Sequence, residues 1–199
     1  MEIDDIQPNI EKEDDEQPPI PQEATADGLP WYAIRLFSLR LKAVLSYFKE
    51  AGLECFVPME YAFKETPKGS PRRTLRPVVH NLVFIKKKGE ESELKRIITQ
   101  AEYKMSVIRK TTDSKAYYEI PAKQMLDFMI MCNPDIELRK YIGEEEAHLK
   151  AGMPVQVKFG ALKGLNGKLV RSSGKYFLLK EVPGMAVMIK VSRWCCVPG

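Results

Sequence analysis

The sequence lacks several features that define common protein classes. None of its 199 residues belongs to an apolar run of 18 or more, which excludes a transmembrane helix. The acidic start has no apolar h-region, so we expect no secretory signal peptide. Only four cysteines occur, and they are too irregularly spaced for a disulfide framework, so we expect reduced thiols in a cytoplasmic protein. They are Cys55, Cys132, Cys195 and Cys196.

Groups that perform catalysis are also scarce. The two histidines, His80 and His148, belong to no cluster with metal-ligand spacing. No phosphate-binding loop, nucleophile elbow or dinucleotide-binding glycine pattern occurs. Cys195 and Cys196 are adjacent, so they do not form a redox C-x-x-C motif. We therefore expect a protein that is not an enzyme, with no catalytic residue, no metal and no cofactor.

Charge is distributed unevenly along the chain. Residues 1–29 contain ten acids and one base, whereas residues 30–143 and 150–199 each carry a net charge of +8. Two basic bodies behind an acidic tail indicate a polyanionic partner, although solvated surface lysines explain the charge equally well. The tail is rich in proline and has no aromatic residue, so it predicts disorder.

Residues 30–133 predict an α+β domain in which helices pack on a mixed sheet. The apolar patterns run in the order β-α-β-β-β-α-β-α. Ser38, Ser92 and Pro121 are placed to open the three helices. Residues 66–74 (TPKGSPRRT) predict a loop, and the following RPVVHNLVFIK predicts one long central strand.

The remaining residues predict a linker followed by a second domain. Residues 134–150 are polar and contain three consecutive glutamates, which is typical of a linker. Residues 151–199 contain four or five short apolar runs punctuated by glycine, which predict a small closed all-β barrel. Asn166-Gly167 predicts a tight turn in that barrel, since glycine adopts positive φ easily.

Motifs in both domains resemble one family. The stretch AGMPVQVKFGALKGLNGKLV resembles the KOW motif of SH3-like barrels. Trp31-Tyr32, Phe56-Val57-Pro58 and the basic loop before an arginine-initiated strand resemble the N-terminal domain of NusG. Residues 30–199 follow the NusG order of an N-terminal domain, a linker and a KOW domain. The acidic tail and the divergent motifs favour a specialised paralogue, like RfaH or the UpxY-type antiterminators of polysaccharide loci.

The resemblance implies an apolar groove that binds the clamp helices of the largest RNA polymerase subunit. The matching positions are Tyr32, Phe56, Val78, Val79 and Leu82. The family usually has aromatic residues and a proline on its central strand, whereas this chain has aliphatic residues and a histidine there. Strand alternation would place Val78 and Leu82 on one face and Val79 on the other. We expect Tyr32 to present its ring to the partner, although each of these side chains could instead belong to the core.

The resemblance also implies contacts with nucleic acid and with a second protein. The basic candidates for the non-template DNA strand or upstream DNA are Arg35, Arg40, Lys42, Arg72 and Arg73, with a solvated surface as the alternative. In the KOW domain, Leu162, Leu165 and Met185 match positions that bind ribosomal protein S10 or the terminator Rho, or they fill the barrel core. The family's aromatic-Gly-Arg stretch is absent, which argues against Rho.

These features predict a transcription elongation factor that binds RNA polymerase and suppresses pausing or termination at particular operons. The alternative is an RNA- or ribosome-binding KOW module that does not act through polymerase. The N-terminal α+β domain favours the first, because ribosomal KOW proteins generally lack such a domain. Five glycines and β-branched residues disfavour refolding of the C-terminal domain into a helical hairpin, so we expect it to stay in β-structure.

Overall fold

The computed structural model describes residues 21–65, 71–111 and 113–199. The N-terminal half consists of α1 (Pro21–Ala24), β1 (Trp31–Leu36), α2 (Leu41–Glu50), β2 (Cys55–Phe56), β3 (Met59–Glu65), β4 (Pro71–Pro77), β5 (Leu82–Lys86), α3 (Glu91–Gln100), β6 (Met105–Val107) and α4 (Ala122–Met131). The C-terminal half consists of β7 (Arg139–Gly143), α5 (Glu144–Leu149), β8 (Gly152–Val157), β9 (Asn166–Ser172), β10 (Lys175–Val182), β11 (Met185–Lys190) and β12 (Cys196–Pro198).

The first sheet has the order β2-β5-β1-β6, and all of its pairs are antiparallel. The prediction of a mixed sheet was therefore wrong, although the helices and strands of an α+β domain are confirmed. All five residues of β5 are buried, as expected of an inner strand covered on both faces. Alternation along β1 sends Trp31 and Ala33 to one face and Tyr32 and Ile34 to the other.

Helices α2 and α3 cover one face of this sheet. Their apolar stripes bury Val44, Phe48 and Leu94 against Ile34 and Ile85 of the strands. Gly52 ends α2 with a φ of 73°, as its position after the last turn predicts. The helix starts were predicted less well, because the caps of α2 and α3 are Arg40 and Glu90 rather than the serines.

Helix α4 covers the opposite face, and the C-terminal half packs against the same core. Phe128 of α4 contacts both Phe56 and Phe84, with ring centroids 6.3 and 5.4 Å apart. This apolar cluster continues into the second sheet through side chains such as Leu178 and Val187. The two halves therefore share one core.

The long strand predicted over residues 76–86 is interrupted. β4 ends at Pro77, residues 78–81 form a bend, and β5 starts at Leu82. β3 and β4 form a separate two-stranded hairpin. Part of the predicted loop at 66–74 is therefore strand from Pro71 onwards, and residues 66–70 lie outside the described residues. Val78 and Leu82 share one core as predicted, but Val79, which strand alternation placed on the other face, packs against the same core because the strand is interrupted there.

The second sheet has the order β12-β8-β9-β10-β11-β7, and all of its pairs are antiparallel. In the part of the chain that the structure describes, β12 and β7 do not pair, so the sheet is not a closed barrel. The predicted linker instead contains β7 and α5, and β7 forms an edge strand beside β11. Gly167 lies inside β9 rather than in a turn, and an added Cβ would come within 2.7 Å of the Leu179 carbonyl oxygen.

The acidic tail is ordered near its end. α1 occupies residues 21–24 and buries Ala24, and the Asp27 carboxylate lies 2.9 Å from the Lys86 ammonium. Glu54 lies 3.1 Å from the same ammonium. Burial by itself lowers the pKa of Lys86, but the hydrogen bonds that its ammonium donates to both carboxylates outweigh it and keep that pKa above its usual value. The predicted disorder of residues 21–29 was wrong, and residues 1–20 lie outside the described part of the chain.

Candidate functional site

The candidate site lies on the face of the first sheet that α4 partly covers. Phe56 and Leu82 are 3% and 4% exposed, and both belong to the core shared by the two halves. Val78 and Val79 are half-buried and pack against the same core, where the Val78 N–H donates to the Pro58 carbonyl at 2.9 Å. We call these four residues the docking face. The structure thus brings together four of the five apolar positions singled out in the sequence.

The fifth position, Tyr32, lies on the other face of the sheet. Its side chain is 1% exposed, its ring meets Tyr117 edge-on, and its hydroxyl donates to Glu119 at 3.1 Å. Burial, together with the Glu119 carboxylate, raises the pKa of Tyr32 to about 12. The expectation of an exposed ring was wrong, because α2 and α3 cover that face.

A turn of the second sheet occupies the space in front of Leu82. Gly184 connects β10 to β11 with a φ of 92°, and a Cβ added there would lie 2.9 Å from Leu82 Cδ1 and 3.1 Å from Ile108 Cδ1. Glycine is required twice at this position, by the backbone conformation and by the close approach. Met185, the next residue, is also buried in the shared core.

A cleft of about 420 Å³ lies between the two halves. Phe56 and Met129 line one side of the cleft, and Leu162 lines the other. Leu162 is half-buried, whereas Leu165 is buried. The apolar positions that the sequence assigned to two different partners therefore lie against each other in one interface.

A buried carboxylate joins α4 to the second sheet. Asp127 is 1% exposed; its two oxygens lie 2.7 Å from Lys123 Nζ, one turn away on the same helix, and 2.9 Å from Lys180 Nζ of β10. Lys180 also donates to the Asn166 carbonyl at 3.0 Å. The Gln124 side chain adds a second polar contact by donating to the Glu181 carbonyl at 2.8 Å. These bonds satisfy the charges that the interface buries.

The family model described as transcription termination factor NusG matches residues 29–129, just over half of the chain. The chain belongs to the NusG family. No curated protein matched it. NusG-family members are non-enzymatic transcription factors that bind RNA polymerase. The match covers the first sheet, its hairpin and most of α4, and it includes the docking face.

One of the basic candidates of this NusG-family chain adjoins the docking face, and the others lie on different elements. Arg35 is exposed and is the direct register partner of Leu82, so it marks the edge of the face. Arg40 and Lys42 are exposed at the start of α2. Arg73 is exposed on β4, with its guanidinium 3.3 Å from the Tyr61 ring centroid. The side chain of Arg72 lies outside the described residues.

Sequence reasoning missed an exposed apolar segment next to these cations. Phe37 and Leu39 are exposed in the bend between β1 and α2, and Lys104 lies 5.7 Å from the Phe37 ring centroid. Residues 31–37 (WYAIRLF) have the pattern of one strand, so Phe37 does not stand out from it in the sequence, although β1 ends at Leu36. The available signal for an exposed segment was the position of Phe37 just before Leu39 and Arg40, where the chain passes from the strand to α2.

Two side chains with reactive groups, Cys132 and His148, lie in contrasting environments. Cys132 is fully buried, and burial raises the pKa of its thiol to about 12, which disfavours the thiolate. His148 lies 3.0 Å from Glu181 on the surface. Within residues 21–65, 71–111 and 113–199, no three metal-ligating side chains come together, and no helix is long and apolar enough to cross a membrane.

Proposed function

We propose that this NusG-family protein is an elongation factor that binds RNA polymerase through the docking face and suppresses pausing or termination at particular operons. The observation that carries the proposal is the family match across the sheet that bears Phe56 and Leu82. An apolar face of this kind accepts an amphipathic helical hairpin, as the clamp helices are in the family. Holding the polymerase clamp closed lowers the population of paused states.

Polymerase binding at this face requires the second sheet to move away. Leu82 and Phe56 are buried beneath Gly184 and beside Leu162, so the face is not accessible while the two halves share a core. The apparent dissociation constant is then the intrinsic one divided by the fraction of open molecules. Opening exposes the apolar side chains of both halves at once, so polymerase binding and second-partner binding support each other.

The second partner binds the surface that opening releases. Leu162, Leu165 and Met185 are the candidate contacts, and ribosomal protein S10 is the partner that the family resemblance suggests. Leu165 and Met185 are buried in the shared core in this structure, and Leu162 lines the cleft. A partner that binds Leu162, Leu165 and Met185 therefore competes with the docking face of the same chain, which packs against the same core in the closed structure.

Exposed cations extend the proposed polymerase contact towards nucleic acid. Arg35 adjoins Leu82, and Arg40 and Lys42 follow at the start of α2. Guanidinium and ammonium groups at these positions suit the phosphates of the non-template strand or of upstream DNA. Arg73 lies on the separate hairpin and contributes there.

Pausing assays test the proposal directly. Single-round transcription with the cognate polymerase measures the dwell time at a defined pause, with and without the protein. We expect wild type to shorten the dwell time and Leu82→Ala to remove the effect. Leu94→Ala truncates a buried leucine in the opposite core and serves as the matched control, which retains the effect. A full effect from Leu82→Ala, or an unchanged dwell time with wild type, refutes the proposal.

A further inference from the structure

Exposed aromatic and basic side chains lie on two segments of the second sheet, one after β8 and one before β12. Trp194 is 90% exposed and Phe159 is 66% exposed, although both rings are large and apolar. Neither belongs to the interface between the two halves or to the match with the family model, which ends at residue 129. Such exposure of aromatic rings on a folded surface indicates an interaction site.

The backbone joins the two segments that carry these rings. Val157 pairs with Cys196, and the Lys158 N–H donates to the Cys195 carbonyl at 2.7 Å. Phe159 lies one residue after Lys158, and Trp194 lies one residue before Cys195, so the two rings are carried by segments that this hydrogen bond joins. Cys195 packs towards the shared core while Trp194 points to solvent.

A third ring and several cations continue this set of side chains. Tyr176 is half-buried, and the guanidinium groups of Arg171 and Arg193 lie 5.9 and 6.0 Å from its ring centroid. Arg193 precedes Trp194 directly, so it connects the two groups of rings. We call Lys158, Phe159, Tyr176, Arg193 and Trp194 the aromatic–basic stripe.

The charge of the second sheet favours an anionic occupant. Residues 150–199 contain nine lysines and arginines and a single acid, Glu181. That acid is already engaged by His148 at 3.0 Å and Lys168 at 3.6 Å, and its carbonyl bonds Gln124 of α4. It therefore lies at the interface rather than on the stripe.

We propose that the aromatic–basic stripe binds single-stranded nucleic acid. Nucleobases stack on exposed aromatic rings regardless of sequence, and cations between the rings contact the backbone phosphates. The stripe offers both on one accessible surface, with rings at either end of Arg193. RNA and single-stranded DNA share this chemistry. The site is separate from the docking face, so its failure would leave the polymerase proposal standing.

Fluorescence anisotropy of the full-length protein with 12-nucleotide labelled oligonucleotides tests this site. We expect single-stranded RNA or DNA to bind more tightly than a duplex of the same length. Trp194→Ala should weaken binding about tenfold, because it removes one stacked base. Trp194→Phe should retain most of the affinity, and Leu39→Ala, which truncates an apolar side chain that is 86% exposed elsewhere, should change nothing.

Salt dependence separates the phosphate contacts from the stacking. For single strands, the logarithm of the binding constant falls with the logarithm of salt concentration by about 0.7 per phosphate contact. Replacing Lys158 and Arg193 with alanine should therefore reduce the slope by about 1.4. Lys95→Ala, an exposed lysine on α3, should leave the slope unchanged.

Three results decide the proposal. Tighter binding of RNA supports the stripe and assigns it to a transcript, and tighter binding of DNA supports it and assigns it to a displaced strand. If the affinity of Trp194→Ala for the oligonucleotide stays within twofold of wild type, the proposal is overturned. Quenching of Trp194 fluorescence by unlabelled oligonucleotide gives an independent check, because the other tryptophan, Trp31, is fully buried.

Discussion

The two lysines that share the Asp127 carboxylate allow a controlled test of the interface. Lys180 crosses from the second sheet to α4 and is 13% exposed, whereas Lys123 lies on α4 itself and is 60% exposed. Replacing each with methionine removes one cation from the same buried carboxylate and preserves side-chain length. Only the Lys180 variant breaks a contact between the two halves.

The expected magnitudes differ several-fold. Lys180→Met removes two charge-assisted hydrogen bonds, to Asp127 and to the Asn166 carbonyl. Each is worth about 1.5–3 kcal/mol, and breaking a buried pair typically costs about 3–5 kcal/mol of the free energy of unfolding. Lys123→Met removes a cation that is 60% exposed and solvent-screened, while Lys180 still compensates the buried carboxylate, so we expect a cost of about 1 kcal/mol or less.

Equilibrium unfolding in urea, followed by circular dichroism, measures both changes. The shared core predicts one cooperative transition for wild type, with a midpoint that falls strongly in Lys180→Met and slightly in Lys123→Met. Equal small shifts for the two variants would refute the reasoning. So would two separate transitions in wild type, since the halves would then unfold independently.

Two further predictions concern single positions. The pKa of Tyr32 is near 10 in the unfolded chain and about 12 in the folded one, so the stability that this group contributes is present below pH 10 and is lost as pH rises towards 12. Over this range the free energy of unfolding should fall less steeply in Tyr32→Phe than in wild type. An unchanged slope would contradict the raised pKa. Gly167→Ala should lower the free energy of unfolding by about 1–3 kcal/mol, because the added Cβ meets a backbone carbonyl oxygen at 2.7 Å. Gly143→Ala, which adds a Cβ in open space, should lower it by less than about 1 kcal/mol. Urea midpoints that fall equally in the two variants would contradict the crowding at β9.

Elements with strong local patterns were predictable from the sequence. The apolar stripe of α2 and its terminal glycine, and the stripe of α4 after Pro121, both correspond to observed helices. Apolar periodicity reports which side chains are buried, and it did so at Phe48 and Phe128.

Features set by tertiary contacts were not predictable in the same way. The polar segment at 134–150 was interpreted as a linker, but pairing with β11 makes part of it strand β7. Gly167 fitted a turn by its local sequence, yet its role is to admit the Leu179 carbonyl from a neighbouring strand. Strand pairing across a sheet is a long-range property, and it overrides local propensity.

The candidate site illustrates the same division. Sequence resemblance selected Phe56 and Leu82 on one half and Leu162 and Met185 on the other. The two sheets pack around α4, and only this packing brings the residues of one half against those of the other. Alternation along β1 separated Tyr32 from Trp31, but only the positions of α2 and α3 reveal that Tyr32 lies in the opposite core.

In the proposed mechanism the second sheet masks the face that binds polymerase, and one affinity comparison tests this masking. The measurement is the dissociation constant of full-length protein for the cognate RNA polymerase, by calorimetry, for wild type, Lys180→Met and Lys123→Met. Lys180 lies outside the docking face, and its bond to Asp127 exists only while the halves are together. Losing the bond to Asp127 removes about 1.5–3 kcal/mol from the closed state alone, and about 1.4 kcal/mol is tenfold in affinity, so we expect Lys180→Met to bind at least about tenfold more tightly and Lys123→Met to match wild type. Equal or weaker binding by Lys180→Met would contradict the account.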